Sequence, residues 1–220
     1  DVERDSVAAE INNDFHLDIG LGNNPEYFRD TIDGRLESLS SGDGFREVWN
    51  VDAPFPYKTV DSIVNISSSS VNDISAGSGA QSMLITGVDA NFNEVSETII
   101  LNGTSTVNSV NQYIFINSAS LLTAGASQVN EGDIDIEHTG NVICRIETGL
   151  GRSMTAIFYV PVDKELVFES SLVSIYRVPG SSGVKEGEIF FQSKLFGGAF
   201  VSAIPVGLRS DAGPANLLSP

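Results

Sequence analysis

Two histidines and one cysteine are the residues of this 220-residue chain best suited to acid–base or nucleophilic chemistry. His16 and His138 lie far apart in the sequence, and neither sits in a recognisable local signature. A Ser-His-Asp site would need one of them as its base, and a zinc site would need a ligand spacing that they lack. Cys144 alternates with apolar neighbours, which predicts a small buried core residue. We therefore predict no catalytic residues and no enzyme.

Paired carboxylates are the second kind of chemistry to consider, because two of them can hydrolyse a glycosidic bond. Asp133 with Asp135 and Glu94 with Glu97 are the close pairs. Both pairs fall in turns or on one face of a strand, where an acidic surface explains them without chemistry.

One loop carries residues that could hold a calcium ion: Asp89, Asn91, Asn93 and Glu94. Calcium takes oxygen ligands from flexible loops of this kind. The glycine and the distal glutamate of the known calcium loop are missing. A plain hairpin turn is therefore the favoured interpretation, with calcium as the weaker one, and no other cofactor is predicted.

The same loop joins two β-rich runs, residues 83–88 and 95–101, which predict an antiparallel hairpin. A third run at 113–116 predicts its extension to a meander. Further along, Ile134 and Ile136 alternate with acidic residues, so they are expected on one face of a strand and the acids on the other.

Short runs of this kind recur as far as residue 208, separated by turn signals and with almost no helical pattern. This density of strands predicts an all-β chain. We expect an antiparallel β-sandwich, with the jelly roll as one form of it and a closed barrel as the alternative. A short helix near residues 5–12 is the one exception.

Residues 1–50 differ from the rest, since Asp, Glu, Asn and Gly are dense and apolar residues are scattered. We predict an N-terminal arm over 1–50, a sandwich domain over 51–208 and a C-terminal tail over 209–220. The arm carries more apolar residues than a freely disordered tail would, so we expect it to contact its own domain or a neighbouring subunit. Its interface candidates are Phe15, Leu17, Tyr27, Phe28 and Trp49.

The composition limits the partners. A formal net charge of −17 repels nucleic-acid phosphates, and no run approaches the roughly 18 apolar residues of a membrane span. We predict neither nucleic acid nor membrane as a partner. The single cysteine excludes an internal disulfide.

Four segments resemble a poorly characterised family of virion structural proteins of marine tailed phages. They are Ala-Gly-Ser-Gly-Ala at 76–80, the hairpin at 85–98 that ends in Ser-Glu-Thr, Leu-Asn-Gly-Thr at 101–104, and 149–161 with its Tyr-Val-Pro ending. The resemblance covers about residues 50–200 and leaves the arm unmatched. Val162-Asp163-Lys164 departs from the family pattern of Ala-Gly-Lys, which alters a turn. The family supplies no catalytic residues to carry over.

The resemblance implies a non-enzymatic protein of the virion, acting in capsid decoration or cementing, or in a head or tail appendage. The expected partners are other virion proteins (the major capsid protein or tail components) and further copies of the chain, most simply as a trimer. The alternative is a carbohydrate-binding sandwich, an adhesin on a phage fibre, in which Trp49, Tyr57 or Tyr113 would stack on sugar rings.

Overall fold

The computed structural model describes residues 31–40, 42–166, 171–176, 182–194, 199–202, 206–211 and 215–218. These residues form strands and no helix, so the predicted all-β class is confirmed. The helix expected near 5–12 lies outside the described residues, as do the interface candidates Phe15, Leu17, Tyr27 and Phe28. Contacts divide the chain into two compact units, Asp1–Lys164 and Glu165–Pro220.

The described part of the first unit contains seven strands. They are β1 (Ser62–Ser68), β2 (Ala80–Val88), β3 (Glu94–Ile100), β4 (Val107–Tyr113), β5 (Phe115–Ala124), β6 (Ile134–His138) and β7 (Asn141–Ile146). They form two antiparallel sheets, in the orders β4-β1-β6-β7 and β3-β2-β5. The arrangement is that of the predicted sandwich. A jelly roll has eight strands, so that form of the prediction stays a prediction.

One hydrophobic core joins the two sheets. Every second side chain of a strand points to the same face, and β6 accordingly buries Ile134 and Ile136 while Asp135 between them is half-buried. They share the core with Met83 of the other sheet. Cys144 is buried and free, as the sequence predicts.

The hairpin predicted around the loop at 89–94 is present, with Val88 paired to Glu94 and Met83 to Ile99. Its predicted extension to a meander is wrong, because β5 pairs with β2 and not with β3. The chain between β3 and β5 forms β4, which pairs with β1 in the other sheet. The third run therefore returns to the opposite side of the hairpin.

The two sheets meet at a corner formed by Glu97 of β3. Its carboxylate accepts the backbone N–H groups of Val110 and Asn111 at 2.9 and 3.1 Å, and the hydroxyl of Tyr113 at 3.0 Å. Unpaired edge strands invite association with other chains. Here a side chain supplies the acceptors that a neighbouring strand would offer, so part of the edge of β4 is covered within the unit.

A buried carboxylate fastens the loop between β1 and β2. Asp73 is fully buried, and its two oxygens accept hydrogen bonds from the backbone N–H groups of Ala80, Glu131 and Gly132 at 2.8–2.9 Å. The hydroxyl of Ser68 donates a fourth at 2.5 Å. Since a buried charge is tolerated when its hydrogen bonds are satisfied, Asp73 can tie two distant loops together at the end of the sandwich.

Trp49 was predicted as an interface residue of the arm, and its position corrects that prediction. It is only 1% exposed, belongs to the core and pairs with Thr155 through a β-bridge. Its indole N–H donates to the carbonyl of Ala53 at 2.8 Å, and its ring meets Phe55 edge-on at 5.0 Å. A large aromatic with its one polar atom satisfied is stable inside a core, so the sandwich begins before residue 50.

The described end of the predicted arm, residues 31–40, also contacts its own unit. Gly34 lies so close to Ala156 that a Cβ at this position would come within 2.4 Å of the alanine Cβ. On either side of the glycine, Asp33 forms an ion pair with Arg152 and Arg35 with Glu147. Of the two locations that the sequence left open, the chain's own domain is the one observed for these residues.

The second unit contains six short described strands. They are β8 (Ser171–Val173), β9 (Glu186–Ile189), β10 (Gln192–Lys194), β11 (Phe200–Ser202), β12 (Val206–Arg209) and β13 (Ala215–Leu218). The antiparallel pairs are nested: β10 with β11, β9 with β12, and β8 with β13. Nested pairs are the pattern of one long, interrupted hairpin, and we call β8–β13 the C-terminal ribbon.

The ribbon changes the predicted domain boundaries. The sequence placed one sandwich over 51–208 and a tail over 209–220, whereas the contacts divide the chain after Lys164. Alternating apolar residues show that a strand has an apolar face, but they do not show which sheet it joins.

Among the described residues, no helix is long and apolar enough to cross a membrane.

Candidate functional site

The residues best suited to catalysis are held in the interior of the sandwich. His138 ends β6 almost fully buried, and burial, with the charge of Lys58, lowers its pKa. Burial raises the pKa of the Cys144 thiol to about 12. A thiol needs its thiolate form to act as a nucleophile, so this environment keeps Cys144 inert. His16 lies outside the described residues.

Asp135 of β6 is engaged by an arginine, and Asp133, directly before β6, by a threonine. Arg145 of β7 holds Asp135 through two parallel hydrogen bonds of 2.6 and 2.9 Å, and Asp135 in turn raises the pKa of the guanidinium. Asp133 accepts the backbone N–H and the hydroxyl of Thr148. Burial opposes the ionisation of Asp133, but these bonds and the charge of Arg145 outweigh it and lower the pKa. The ion pair between Arg145 and Asp135 thus ties β7 to β6.

An open cleft of about 380 Å³ lies beside this pair. Its lining residues are Glu37, Asn50, Asp52, Asp133, Arg145, Glu147 and Thr148. Its carboxylates already have cationic partners, since Arg35 contacts both Glu37 and Glu147 and Arg46 contacts Asp52. The Oδ1 atom of Asn50 is buried without a hydrogen-bond partner. The cleft is therefore a network of ion pairs with a single unsatisfied acceptor.

The calcium candidate loop closes as a turn through its own side chains. Asp89 Oδ1 accepts the backbone N–H groups of Asn91 and Asn93 at 2.8 and 2.9 Å, and Oδ2 accepts the Asn93 amide at 2.9 Å. These bonds, that of the Asn93 side chain first, lower the pKa of Asp89. The arrangement is the Asx turn that Asp commonly forms, and it accounts for the residue types without a cation. Glu94 is exposed at the start of β3.

Within the described ranges, no group of three or more His, Cys, Asp or Glu side chains is arranged to hold a metal ion.

The aromatic residues proposed for sugar binding differ in how far they are exposed. Trp49 and Tyr113 are buried in the core, whereas Tyr57 is partly exposed and stacks edge-on against Phe55 at 5.0 Å. Burial excludes Trp49 and Tyr113 as sugar-stacking residues, and Tyr57 is the one of the three that solvent reaches.

The C-terminal ribbon carries large apolar side chains that are strongly exposed. None of its described side chains is buried. Leu172 is 75% exposed, Tyr176 82% and Val201 68%. Leu172 and Tyr176 recur at even spacing in the sequence, and both are left in solvent. Large apolar side chains on the surface are candidates for contact with another molecule.

No protein-family model, curated protein or solved structure matches the chain.

Proposed function

We propose that this chain is a non-enzymatic structural protein of a phage particle, acting in capsid decoration or cementing or in a head or tail appendage. The setting comes from the sequence resemblance over about residues 50–200 to virion proteins of marine tailed phages. The observation that carries an assembly role is the C-terminal ribbon, with its exposed Leu172, Tyr176 and Val201.

The distribution of charge supports this proposal. The net charge is −17, of which residues 165–220 contribute −1, with five acidic and four basic residues. A strongly charged body keeps a protein soluble and discourages random association. Exposed apolar side chains also occur in residues 1–164, for example Phe45 and Val110, but residues 165–220 are nearly neutral, so charge repulsion opposes contact there less.

The use of the polar residues in the sandwich is the second support. Asp73, Glu97 and Asp135 each accept two or more hydrogen bonds that join separate strands or loops. A carboxylate that serves as acid, base or nucleophile must be able to reach a substrate. Carboxylates whose oxygens are occupied by such hydrogen bonds favour a structural domain over a catalytic one.

The test is quantitative mass spectrometry of purified particles of the phage that encodes the chain. We expect a fixed number of copies per particle, with hundreds indicating a capsid role and a dozen or fewer an appendage. Absence of the chain from purified particles would reject the proposal. Hydrolysis of ester or glycoside substrates by the purified protein, abolished by His138→Gln, would contradict the non-enzymatic part.

A further inference from the structure

We propose that His138 is an acid-sensitive latch, which holds the turn between β6 and β7 against the segment before β1 at neutral pH and releases it when the imidazole gains a proton. The parts of this latch all lie within the first unit. It would therefore operate whether or not the chain belongs to a phage particle.

The imidazole lies on the core side of its strand. Ile134 and Ile136 of β6 are buried, and His138 follows them in the same alternation with only 3% of its surface exposed. Its Nδ1 atom lies 3.2 Å from the hydroxyl oxygen of Thr139. Its Nε2 atom is buried and has no hydrogen-bond partner among the described residues. The core thus holds an imidazole of which one nitrogen is unpaired in either neutral tautomer.

A lysine reaches the same hydroxyl from the segment before β1. Nζ of Lys58 donates to Thr139 Oγ1 at 3.2 Å. A protonated His138 would donate from Nδ1 to that oxygen as well, so two cations would share one neutral acceptor. Its other N–H, at Nε2, would find no acceptor in the described part of the core. Both conditions oppose a charge on the ring, because a buried charge needs a partner.

The other groups around the ring do not reverse this balance. Tyr113 of β4 is neutral, since burial raises the pKa of its phenol, and Glu137 of β6 alternates to the opposite face of the strand. The backbone carbonyls of Val60 and Tyr113 favour the imidazolium. Burial of the ring, and after it the charge of Lys58, outweigh these carbonyls and lower the pKa of His138.

The turn beside the ring is under backbone strain. Thr139 and Gly140 join β6 to β7 with φ angles of 49° and 75°, the pattern of a two-residue type I′ turn. Glycine adopts this conformation freely, but a β-branched residue such as threonine does so at a cost. The Thr139 hydroxyl is held by His138 and by Lys58. Strain of this kind persists only where surrounding contacts maintain it, so loss of the His138 contact allows the turn to relax.

The direction of the pH effect follows from the lowered pKa of His138. The unfolded chain, in which a histidine has its ordinary pKa of about 6.5, binds the proton more tightly than the folded chain does. The neutral ring therefore contributes its full stability above about pH 6.5, and this contribution is lost as the pH falls through the folded pKa. The latch is closed at neutral pH and opens in mild acid.

The first experiment is an NMR titration of the imidazole signals of the full chain. The chain has two histidines, so His138→Gln removes one signal and assigns it. We expect His138 to titrate below the ordinary value of about 6.5, and Lys58→Gln to raise its pKa because a like charge is removed. The control Lys185→Gln, which removes a charge at an exposed position of the second unit, should leave the titration unchanged. A His138 that titrates at or above the ordinary value, or that responds equally to the two lysine variants, contradicts the latch.

The second experiment locates the opening by amide hydrogen exchange at neutral pH and at about pH 5, where an ordinary histidine is protonated. After correction for the intrinsic effect of pH on exchange, wild type should exchange faster in acid around the turn at 138–141, and His138→Gln should not. Carboxyl groups that titrate in this range are common to both chains, so the comparison isolates the imidazole. If His138→Gln does not fold, Lys58→Gln takes its place and should open less in acid than wild type. An acid effect that is the same in wild type and variant, or that spreads evenly over the first unit, would overturn the proposal.

Discussion

The sandwich and the C-terminal ribbon are both built from antiparallel strands with alternating apolar residues. Among the described residues, only the sandwich buries its apolar side chains fully. In the sandwich, two sheets face each other and bury twenty hydrophobic residues in one core. In the ribbon, the strands form nested pairs, and none of its described side chains is buried. Strand pairing alone therefore does not make a stable unit; a second layer does.

The polar groups follow the same division. The sandwich uses Asp73, Glu97 and Arg145 as cross-links between elements distant in sequence. In the ribbon, Arg209 forms ion pairs with Glu186, directly opposite it, and with Asp211, two residues further along the chain. The cross-links of the sandwich fix the arrangement of elements distant in sequence, whereas these two pairs act within one strand pair and its turn.

The largest effect should come from removing the buried carboxylate of the sandwich. Asp73→Ala leaves three backbone N–H groups and a hydroxyl without their acceptor. Each buried donor so stranded costs about 1–3 kcal/mol, so we expect a loss of about 4 kcal/mol or more. Urea unfolding followed by the fluorescence of Trp49, the only tryptophan, measures this directly. Asp163→Ala, at an exposed position, should change stability by less than about 0.5 kcal/mol; a similar small change for Asp73→Ala would disprove its role.

The second test compares the same substitution in the two regions. Ile136→Ala empties part of the core and should destabilise the sandwich by about 3 kcal/mol. Ile189→Ala, at a partly exposed position of β9 in the second unit, should leave the Trp49 unfolding transition within about 0.5 kcal/mol of wild type. Because Trp49 reports on the first unit, an equal shift for both variants would show that the two regions unfold together and would break the distinction between them.

Ile134 and Ile136 show how much of the fold the sequence predicts. The alternation around Ile134 and Ile136 predicts a one-sided strand, and the structure confirms it, because local alternation reports which side chains share a face. Leu172 and Tyr176 also recur at even spacing, but that spacing does not reveal that both side chains are exposed in the structure. The identity of the covering surface is a property of tertiary or quaternary contact, so the boundary after Lys164 and the ribbon could not be predicted.

Strand β4 and the tie at Asp73 were missed for related reasons. The sequence of β4, Val-Asn-Ser-Val-Asn-Gln-Tyr, is mostly polar, and its position is supported by Glu97 and by pairing with β1 more than by its own apolar residues. Asp73 lies in a polar, serine-rich stretch, where an aspartate is ordinarily exposed. Neither feature leaves a local signal, since its partners lie far along the chain.

The third test concerns β4, an edge strand of the sandwich that Glu97 covers at one corner. Glu97→Gln keeps the size of the side chain but removes the charge that accepts the Val110, Asn111 and Tyr113 hydrogen bonds. Hydrogen bonds to a charged group contribute about 1.5–3 kcal/mol, and we expect a loss near the lower end of this range, since one acceptor oxygen remains. Glu94→Gln, exposed at the start of the same strand, is the control.

A spectroscopic measurement separates the charge of Glu97 from general damage to the fold. Burial raises the pKa of Tyr113, and the negative charge of Glu97 raises it further. Removing that charge should lower the pKa of Tyr113 towards its ordinary value, which an alkaline titration of tyrosinate absorbance detects. An unchanged tyrosine titration in a folded Glu97→Gln protein would show that the corner does not depend on this charge.

The smallest effect expected is a pH dependence located where residues 31–40 meet the sandwich. Glu147 is largely desolvated, and burial raises the pKa of its carboxyl group; the adjacent Arg35 opposes this, while Glu37 and Asp133 add to it. A carboxyl whose pKa is higher in the folded than in the unfolded state binds its proton more tightly when folded. Its contribution to stability is therefore favourable at pH values below the folded pKa and is lost as the pH rises through that value.

At neutral pH the ionised Glu147 destabilises the folded state. Glu147→Gln should therefore raise the urea midpoint slightly at pH 7. It should also remove the increase in stability that Glu147 gives the wild-type chain as the pH falls from 7 to about 4.5. The control Glu165→Gln, exposed at the start of the second unit, should leave the wild-type pH profile unchanged. If Glu147→Gln destabilises the sandwich at pH 7, the ion pair with Arg35 outweighs the burial of the carboxylate, and this end of the arm is held by attraction between charges.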